Sequence, residues 1–214
     1  MKSLAFFPAL FIAVTSFSQP KIGLLKYGGG GDWYANPTSL PNLVRFLNEQ
    51  TTIKVYPKVE TVEVRSSNLY QFQMLHTTGH GNFIFSDEER NILRRYLLNG
   101  GFLHVDDNYG MAPYFRKEIK KLFPDRDLKE IPRSHPLFNS YFNFPNGLPK
   151  IHEHDGKAPT AYGIFDGDRL LVLFTAECDL GDGWEDPEVH NDPTELHETA
   201  LKMGANIFAF ILAQ

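Results

Sequence analysis

The sequence contains very little cysteine, because Cys178 is the single cysteine among 214 residues. An internal disulfide is therefore excluded, and the hydrophobic core alone must hold the fold together. Cys178 itself is predicted to be a small buried hydrophobic residue, with a reactive thiol as the alternative. For an exported protein, this cysteine content suits a bacterial periplasm better than a eukaryotic secretory route.

Basic charge is also scarce. Lysine and arginine number 21 against 26 aspartates and glutamates, so the formal net charge is −5. Nucleic acids and anionic membranes are bound through basic surfaces, so we expect neither as a partner. Nucleophilic hydrolases of the G-x-S-x-G type are not indicated, because the sequence has no such motif and no serine between the glycines that an elbow turn needs.

A nucleotide-binding motif is missing as well, although a glycine run, Gly28–Gly31, follows the first predicted strand. The third glycine of a G-x-G-x-x-G motif would fall on Trp33, and Asp32 would repel a pyrophosphate. No lysine follows to complete a triphosphate-binding loop. The run is therefore interpreted either as a binding loop that carries Asp32, Trp33 and Tyr34 or as a close-packed turn.

The one apolar run at the N-terminus is too short to span a membrane comfortably. Lys2, the apolar segment Leu4–Val14 and the small-x-small site Ser16–Ser18 together form the pattern of a secretory signal peptide. We expect cleavage before Gln19, export to the periplasm of a bacterium, and a single domain over residues 19–214. No cysteine directly follows the signal, so no lipoprotein anchor is expected.

The most informative stretch is Tyr70–Gly110. It predicts a strand (Phe72–Thr77), a glycine turn around His80, a helix (Asp87–Leu98) and a second strand (Gly101–Asp106). Ser86 and Glu89 have the spacing of a capping box at the start of that helix. Such a unit forms a right-handed β-α-β crossover, and ligands bind beyond the carboxyl ends of its parallel strands. His80 and the run Asp106-Asp107-Asn108 lie at those ends.

The rest of the chain continues the same alternation. The predicted elements before the irregular segment are strands at Lys21–Tyr27 and Ile53–Tyr56, an exposed strand extension at Val59–Val64, a helix from Thr38 or Ser39 and a helix at Tyr114–Phe123. Ala161–Phe165 and Arg169–Thr175 predict a hairpin near the edge of the sheet, whose second strand is apolar enough to be central. A last helix, capped by Asp192, Pro193 and Glu195, is expected to run to about Leu212. Residues 124–160 are irregular and carry His152 and His154. We expect a solvated loop there, and the alternate spacing of the two histidines leaves metal ligation as the alternative.

Four loops are expected to share the carboxyl edge of the sheet. They bring together acidic, aromatic and histidine side chains: Asp32, Trp33, His80, Asp106, Asp107, Asn108, Tyr109, Glu177, Asp179, Asp182 and Trp184. Several carboxylates in one place repel each other unless protons or a cation share the charge. Two hypotheses follow, namely a divalent ion held with His80 or a saccharide held by acceptors between aromatic faces. A carboxylate pair acting on a glycosidic bond is a further variant, which depends on the separation of the two groups.

The combination of motifs resembles an exported bacterial family known as domain of unknown function 4159. The residues concerned are TTGHG (Thr77–Gly81), GGFLHVDDNYG (Gly100–Gly110), RSHPLF (Arg133–Phe138) and ECDLGDGWE (Glu177–Glu185). That family is similar to the class I glutamine amidotransferase-like superfamily, which implies a flavodoxin-like three-layer α/β sandwich and no established activity. Val105–Asn108 fall where the superfamily has its cysteine elbow, and no cysteine is present there. The resemblance therefore does not imply thiol-dependent amidotransfer.

The leading prediction is an exported α/β domain that binds a small polar or saccharide ligand, or a protein partner, at the carboxyl edge. The predicted ligand-binding residues are Trp33, His80, Asp106, Asp107, Asn108, Asp179 and Trp184. The alternative is a metal-assisted hydrolase in which His80, Asp106 and Asp107 hold a divalent metal ion, with His80, Asp107 and Glu177 as the catalytic candidates. An interaction module without chemistry is the third possibility.

Overall fold

The computed structural model describes residues 19–214. The predicted signal peptide, residues 1–18, lies outside the described residues. No helix within residues 19–214 is long and apolar enough to cross a membrane. The elements are β1 (Ile22–Lys26), α1 (Ser39–Gln50), β2 (Glu60–Glu63), β3 (Met74–Thr77), α2 (Asp87–Leu98), β4 (Phe102–Asp106), α3 (Ala112–Leu122), β5 (Lys129–Glu130), β6 (Thr160–Asp166), β7 (Arg169–Ala176), α4 (Leu180–Gly183), α5 (Pro187–His190) and α6 (Thr194–Ala213).

A seven-stranded mixed sheet forms the centre of the fold, in the order β2-β1-β3-β4-β7-β6-β5. Strands β2, β1, β3, β4 and β7 are paired in parallel, whereas β6 is antiparallel to both of its neighbours, β7 and β5. The prediction of an α/β fold with a mainly parallel sheet is confirmed. Because β1, β3, β4 and β7 point the same way, the loops that follow them meet at one edge.

Helices cover both faces of the sheet. Consecutive strand residues point to opposite sides, so Met74 and Leu75 enter different clusters of buried side chains. One cluster joins the sheet to α1 and α6, and the other joins it to α2 and α3. The loops that follow β1, β3, β4 and β7 are therefore connected to a sheet that is packed on both faces.

Helix α2 begins and ends where its sequence signals predict. The Ser86 backbone N–H donates to Glu89 Oε2 (2.8 Å), and the Glu89 N–H donates to Ser86 Oγ (3.3 Å), so the capping box is confirmed. At the other end Gly100 has a φ of 104°, a left-handed conformation that glycine adopts without a Cβ clash.

Replacing Ser86 with alanine should lower the free energy of unfolding by about 1 kcal/mol, since an N-cap acceptor is lost. Urea denaturation followed by circular dichroism measures the change. Ser67→Ala is the matched control, because Ser67 is exposed and its replacement should change stability by less than about 0.5 kcal/mol. Equal effects of the two substitutions would contradict the capping assignment.

The second strand was predicted at the wrong place. Residues 53–56 form no strand, and β2 is instead the segment Glu60–Glu63, which pairs in parallel with β1. The reason is a side chain: the Val55 N–H donates to Asn48 Oδ1 (3.0 Å) and Asn48 Nδ2 donates to the Val55 carbonyl (3.1 Å), which replaces strand pairing. The alternating pattern of Val59–Val64 reflects an edge strand with Val62 and Val64 buried.

The C-terminal half differs from the prediction in two details. The hairpin of β6 and β7 is present, and β7 lies inside the sheet beside β4, as its apolar sequence predicts. The hairpin does not form the edge of the sheet, because the short strand β5, which the sequence does not predict, pairs outside β6. Helix α6 is confirmed, yet no side-chain hydrogen bond caps its start. The carboxylate of Asp192, predicted as part of the cap, lies against His152 instead.

Candidate functional site

Asp106, at the end of β4, is fully buried. Its Oδ2 accepts the Gly181 N–H (2.6 Å), while its Oδ1 accepts the Thr175 hydroxyl and lies 3.6 Å from Cys178 Sγ. Burial raises the pKa of Asp106 to about 7. Both carboxylate oxygens thus accept hydrogen bonds from within the protein, so Asp106 fixes the position of the backbone at Gly181.

The two residues after Asp106 also bond within the protein. Asp107 Oδ1 accepts the Met111 N–H (2.7 Å) just before α3, and burial raises the pKa of Asp107. Asn108 Nδ2 donates to Asn36 Oδ1 (3.2 Å), while Asn108 Oδ1 is buried without a hydrogen-bond partner. Asn108 therefore has a free acceptor at the carboxyl edge.

His80 lies apart from these side chains. Its Nδ1 is 2.9 Å from Asp32 Oδ2, and its backbone N–H donates to Asp32 Oδ1 (2.5 Å). Half of the His80 side chain is exposed. Within residues 19–214 no hydrogen bond or ion pair joins His80 to Asp106 or Asp107, so the predicted metal set is not assembled by direct contacts.

The predicted aromatic and catalytic candidates take different positions. Trp184 is fully buried, and its Nε1 donates to the Ala200 carbonyl (2.8 Å) under α6. Its face is therefore not available to a sugar, contrary to the prediction. Trp33 is partly exposed and packs edge-on against Tyr34. Glu177 lies 3.4 Å from Lys150 Nζ in an ion pair.

A different histidine, His152, lies at the centre of the acidic edge. Its Nδ1 is 3.2 Å from Asp182 Oδ2 and 3.6 Å from Asp179 Oδ2, and its Nε2 is 3.0 Å from Asp192 Oδ1. Hydrogen bonds to Asp179 and Asp182, then to Asp192, raise the pKa of His152 to about 11 although partial burial opposes the shift. The loop that carries His152 is thereby fixed to the segment after β7.

His190 completes the arrangement from α5. Its Nε2 lies 3.0 Å from Glu185 Oε2 and 3.8 Å from Asp182 Oδ2. The ligand atoms of His152, Asp182 and His190 all lie within 4.8 Å of one another. These three residues are called the His–Asp cluster below.

Buried acceptors without partners surround the cluster. Asp179 Oδ1 and Thr78 Oγ1 have no hydrogen-bond partner, and both residues are about 1% exposed. The other oxygen of Asp179, Oδ2, is bonded to His154 Nε2. A buried acceptor is seldom left unpaired in a native protein, so each of these two atoms is available to a hydrogen-bond donor or an ion.

Unusual backbone geometry is concentrated in the same loops. The non-glycine residues with positive φ in the described chain are Tyr109, Glu177, Asp179 and Asn191. All four lie in the segments after β4 and β7. Such conformations cost energy and occur most often at functional sites, and here they accompany the polar cluster.

Comparison with protein families agrees with the motifs. The family described as Domain of unknown function (DUF4159) matches residues 21–212. The chain belongs to the DUF4159 family. No curated protein matches the chain. The matched region of this DUF4159 domain includes the whole sheet and the His–Asp cluster.

Sequence reasoning found only part of the site in this DUF4159 domain. The structure brings Asp106, Asn108, Asp179 and Asp182 to one edge, as the strand order requires. The sequence predicts His152 in a solvated loop, and its alternate spacing with His154 gives metal ligation only as the alternative. His190 and Asn36 were missed, and no motif marks them.

Proposed function

We propose that this DUF4159 domain binds a divalent cation in the His–Asp cluster and, through that ion, a small polar ligand at the carboxyl edge of the sheet. One observation carries the proposal: two imidazole nitrogens and one carboxylate oxygen lie within 4.8 Å of one another. Two histidines and a carboxylate are a common ligand set for zinc and for iron(II), and the set leaves coordination positions for water or a ligand.

Neighbouring side chains support the orientation of these ligands. Asp192 Oδ1 faces Nε2 of His152 (3.0 Å), which leaves Nδ1 directed at Asp182. A carboxylate on the distal nitrogen of a metal-bound histidine is the usual outer-shell arrangement. Asn36 Nδ2 donates to Asp182 Oδ1 and also lies 3.5 Å from Glu185 Oε2. The Asp182 carboxylate is thus held with Oδ2 toward the two histidines.

The charge around the cluster also favours a cation. The carboxylates of Asp179, Asp182, Glu185 and Asp192 lie within ion-pair distance of His152 or His190. Buried carboxylates this close together repel each other unless protons or a metal ion balance them. In the metal-free protein a proton on His152 supplies part of that balance, and a bound ion would replace it.

Cation affinity should therefore rise with pH. The pKa of His152 is raised to about 11, so below that pH a proton competes with the ion for Nδ1. Binding at pH 8 should release about one proton from His152. Isothermal titration with Mn²⁺ or Zn²⁺ in buffers of different ionisation enthalpy measures the release. A pH-independent affinity between pH 6 and 9 would contradict ligation by this histidine.

Metal-assisted hydrolysis is the second candidate, with an ion-bound water as the attacking group. The ligand positions left open by a three-residue set support it, and its residues would be the His–Asp cluster in place of His80, Asp106 and Asp107. Saccharides and protein partners both remain within the proposal, because hydroxyl and carboxylate oxygens are suitable ligands for the ion.

We also propose that the fold is flavodoxin-like and that the protein is exported. A flavodoxin-like, amidotransferase-like fold is supported by the parallel strands with helices on both faces. Thiol catalysis is not part of it, because Cys178 is fully buried and its burial, with Asp106 and Asp179 nearby, raises the pKa of its thiol well above the ordinary value. Export is tested by fusing residues 1–18 to a reporter that is active only in the periplasm.

Equilibrium dialysis followed by elemental analysis tests the function itself. Untagged protein is dialysed against Mn²⁺, Co²⁺, Ni²⁺ or Zn²⁺, and one ion per chain is expected. Monosaccharides, disaccharides and peptidoglycan fragments are then screened with the metal-loaded and the chelator-treated protein. Ligand binding only with metal supports the proposal, whereas equal binding after chelation supports a metal-free ligand site.

A further inference from the structure

Four fully buried polar side chains form a continuous hydrogen-bonded chain under the site. His76 Nδ1 lies 3.0 Å from His104 Nδ1, and His104 Nε2 lies 2.9 Å from Thr175 Oγ1. The Thr175 hydroxyl bonds in turn to Asp106 Oδ1. The four residues belong to β3, β4 and β7 and are 0% exposed, so the chain crosses three neighbouring strands.

The hydrogen atoms in this chain have one consistent direction. At pH 8, above the pKa of about 7 that burial gives Asp106, the ionised carboxylate only accepts, so the Thr175 hydroxyl donates to it and must accept the Nε2–H of His104. The neutral His104 then offers Nδ1 as an acceptor to the Nδ1–H of His76. This leaves His76 Nε2 without a hydrogen, and that atom is the one buried ring nitrogen of the pair without a partner. The opposite direction would bury an unpaired N–H, which is rarer than an unpaired acceptor.

This series of hydrogen bonds ends at the backbone segment that carries Asp182 of the His–Asp cluster. Asp106 Oδ2 accepts the Gly181 N–H (2.6 Å), and Gly181 directly precedes Asp182. A Cβ on Gly181 would lie 3.3 Å from Asp106 Oδ2 and 3.4 Å from Thr78 Oγ1. A side chain at position 181 would therefore require the Asp106 carboxylate to shift by a few tenths of an ångström.

We infer that the chain His76–His104–Thr175–Asp106 is a positioning device, which fixes the backbone at Gly181 and thereby the carboxylate of Asp182. None of the four residues contacts the ion in this scheme. Apolar side chains would fill the same interior without the cost of burying polar groups. This inference rests on the proposed function only where it predicts a change in cation affinity. The hydrogen bonds among the four side chains are tested in the metal-free protein.

The first test is the tautomer of each histidine. Long-range ¹⁵N–¹H spectra of the metal-free protein at pH 8, assigned with His76→Gln and His104→Gln, should show two neutral rings. His76 should be protonated on Nδ1 and His104 on Nε2. A proton on His76 Nε2, or a charged ring at either position, would overturn the chain as described.

The second test removes the hydroxyl of Thr175 and with it the hydrogen bonds to His104 and Asp106. Thr175→Val keeps the volume and removes the hydroxyl, so the Gly181 amide should exchange with solvent at least about 10-fold faster. Cation affinity should fall by about 10- to 100-fold, the usual effect of losing an outer-shell partner. Thr175→Ser should restore both quantities, because it returns the hydroxyl.

Thr77→Val is the matched control. Thr77 is equally buried, on the adjacent strand β3, and its hydroxyl donates to the Leu25 carbonyl outside the chain. This variant should lose stability yet keep the exchange rate of Gly181 and the cation affinity. Equal changes in Thr77→Val and Thr175→Val would show a merely structural role and overturn the inference.

The outcomes separate this inference from the proposed function. A wild-type protein that binds no cation contradicts the proposed function, while the tautomers and the exchange of Gly181 still decide the positioning chain. If the wild-type protein binds the cation and a folded Thr175→Val variant binds it with the same affinity, the positioning role of the four side chains is contradicted while the proposed function stands. If Thr175→Val does not fold, the wild-type tautomers remain a decisive test.

Discussion

Replacing Asp182 with asparagine should lower the affinity for divalent cations by at least about 100-fold, because loss of an outer-shell partner alone costs 10- to 100-fold. Asp182 supplies the only carboxylate of the His–Asp cluster. Asparagine keeps the shape and can still accept from Asn36 through its carbonyl oxygen, so the fold should persist. Isothermal titration with Mn²⁺ or Zn²⁺ measures the affinity, and circular dichroism confirms folding.

Glu153→Gln is the matched control for that experiment. Glu153 lies between the two histidines of the same loop, and its side chain is 71% exposed beside Lys150. The substitution removes one negative charge near the site without removing a ligand, so affinity should change by less than about 3-fold. Similar losses in both variants would show that general negative charge, rather than ligation by Asp182, attracts the cation.

Replacing Trp184 with alanine should lower the free energy of unfolding by about 3–5 kcal/mol, the range for removing a large aromatic side chain from a core. Trp184 is 0% exposed, and its ring centroid lies 5.1 Å from that of His76. A Cβ on Gly204 would come within 3.0 Å of the indole, so α6 packs tightly on it. Chemical denaturation of the metal-free protein measures the loss.

The other tryptophan provides the comparison. Trp33 is partly exposed in the loop after β1, so Trp33→Ala should cost less than about 1 kcal/mol. A small effect of Trp184→Ala, together with lost binding of a sugar, would restore the predicted role of Trp184 as a ligand contact. A large loss of stability supports its place in the core.

The elements that sequence predicted well are those whose signals are local. Helix α2 follows from the capping box at Ser86 and the glycines after Leu98, and β4 directly follows those glycines. The error at residues 53–56 has a different cause, since the side chain of Asn48, seven residues earlier in the sequence, satisfies the backbone of Val55. Strand propensity does not indicate where hydrogen bonds to a side chain replace the backbone hydrogen bonds of a sheet.

The site was predictable to the level of the sheet edge and no further. Strand order places Asp106, Asp179 and Asp182 together, because parallel strands end on the same side. The pairing of His80 with Asp32 and the approach of His152 to Asp182 depend on the path of two irregular loops. His190 joins the cluster through α5, a four-residue helix without a sequence motif.

An anomalous difference map of crystals grown with Mn²⁺ or Zn²⁺ tests the central claim most directly. We predict one strong peak between Asp182 and the two histidines, about 2.0–2.2 Å from Nδ1 of His152, Nε2 of His190 and the Asp182 carboxylate. A peak at His80 and Asp32, or no peak at saturating metal, would contradict the account.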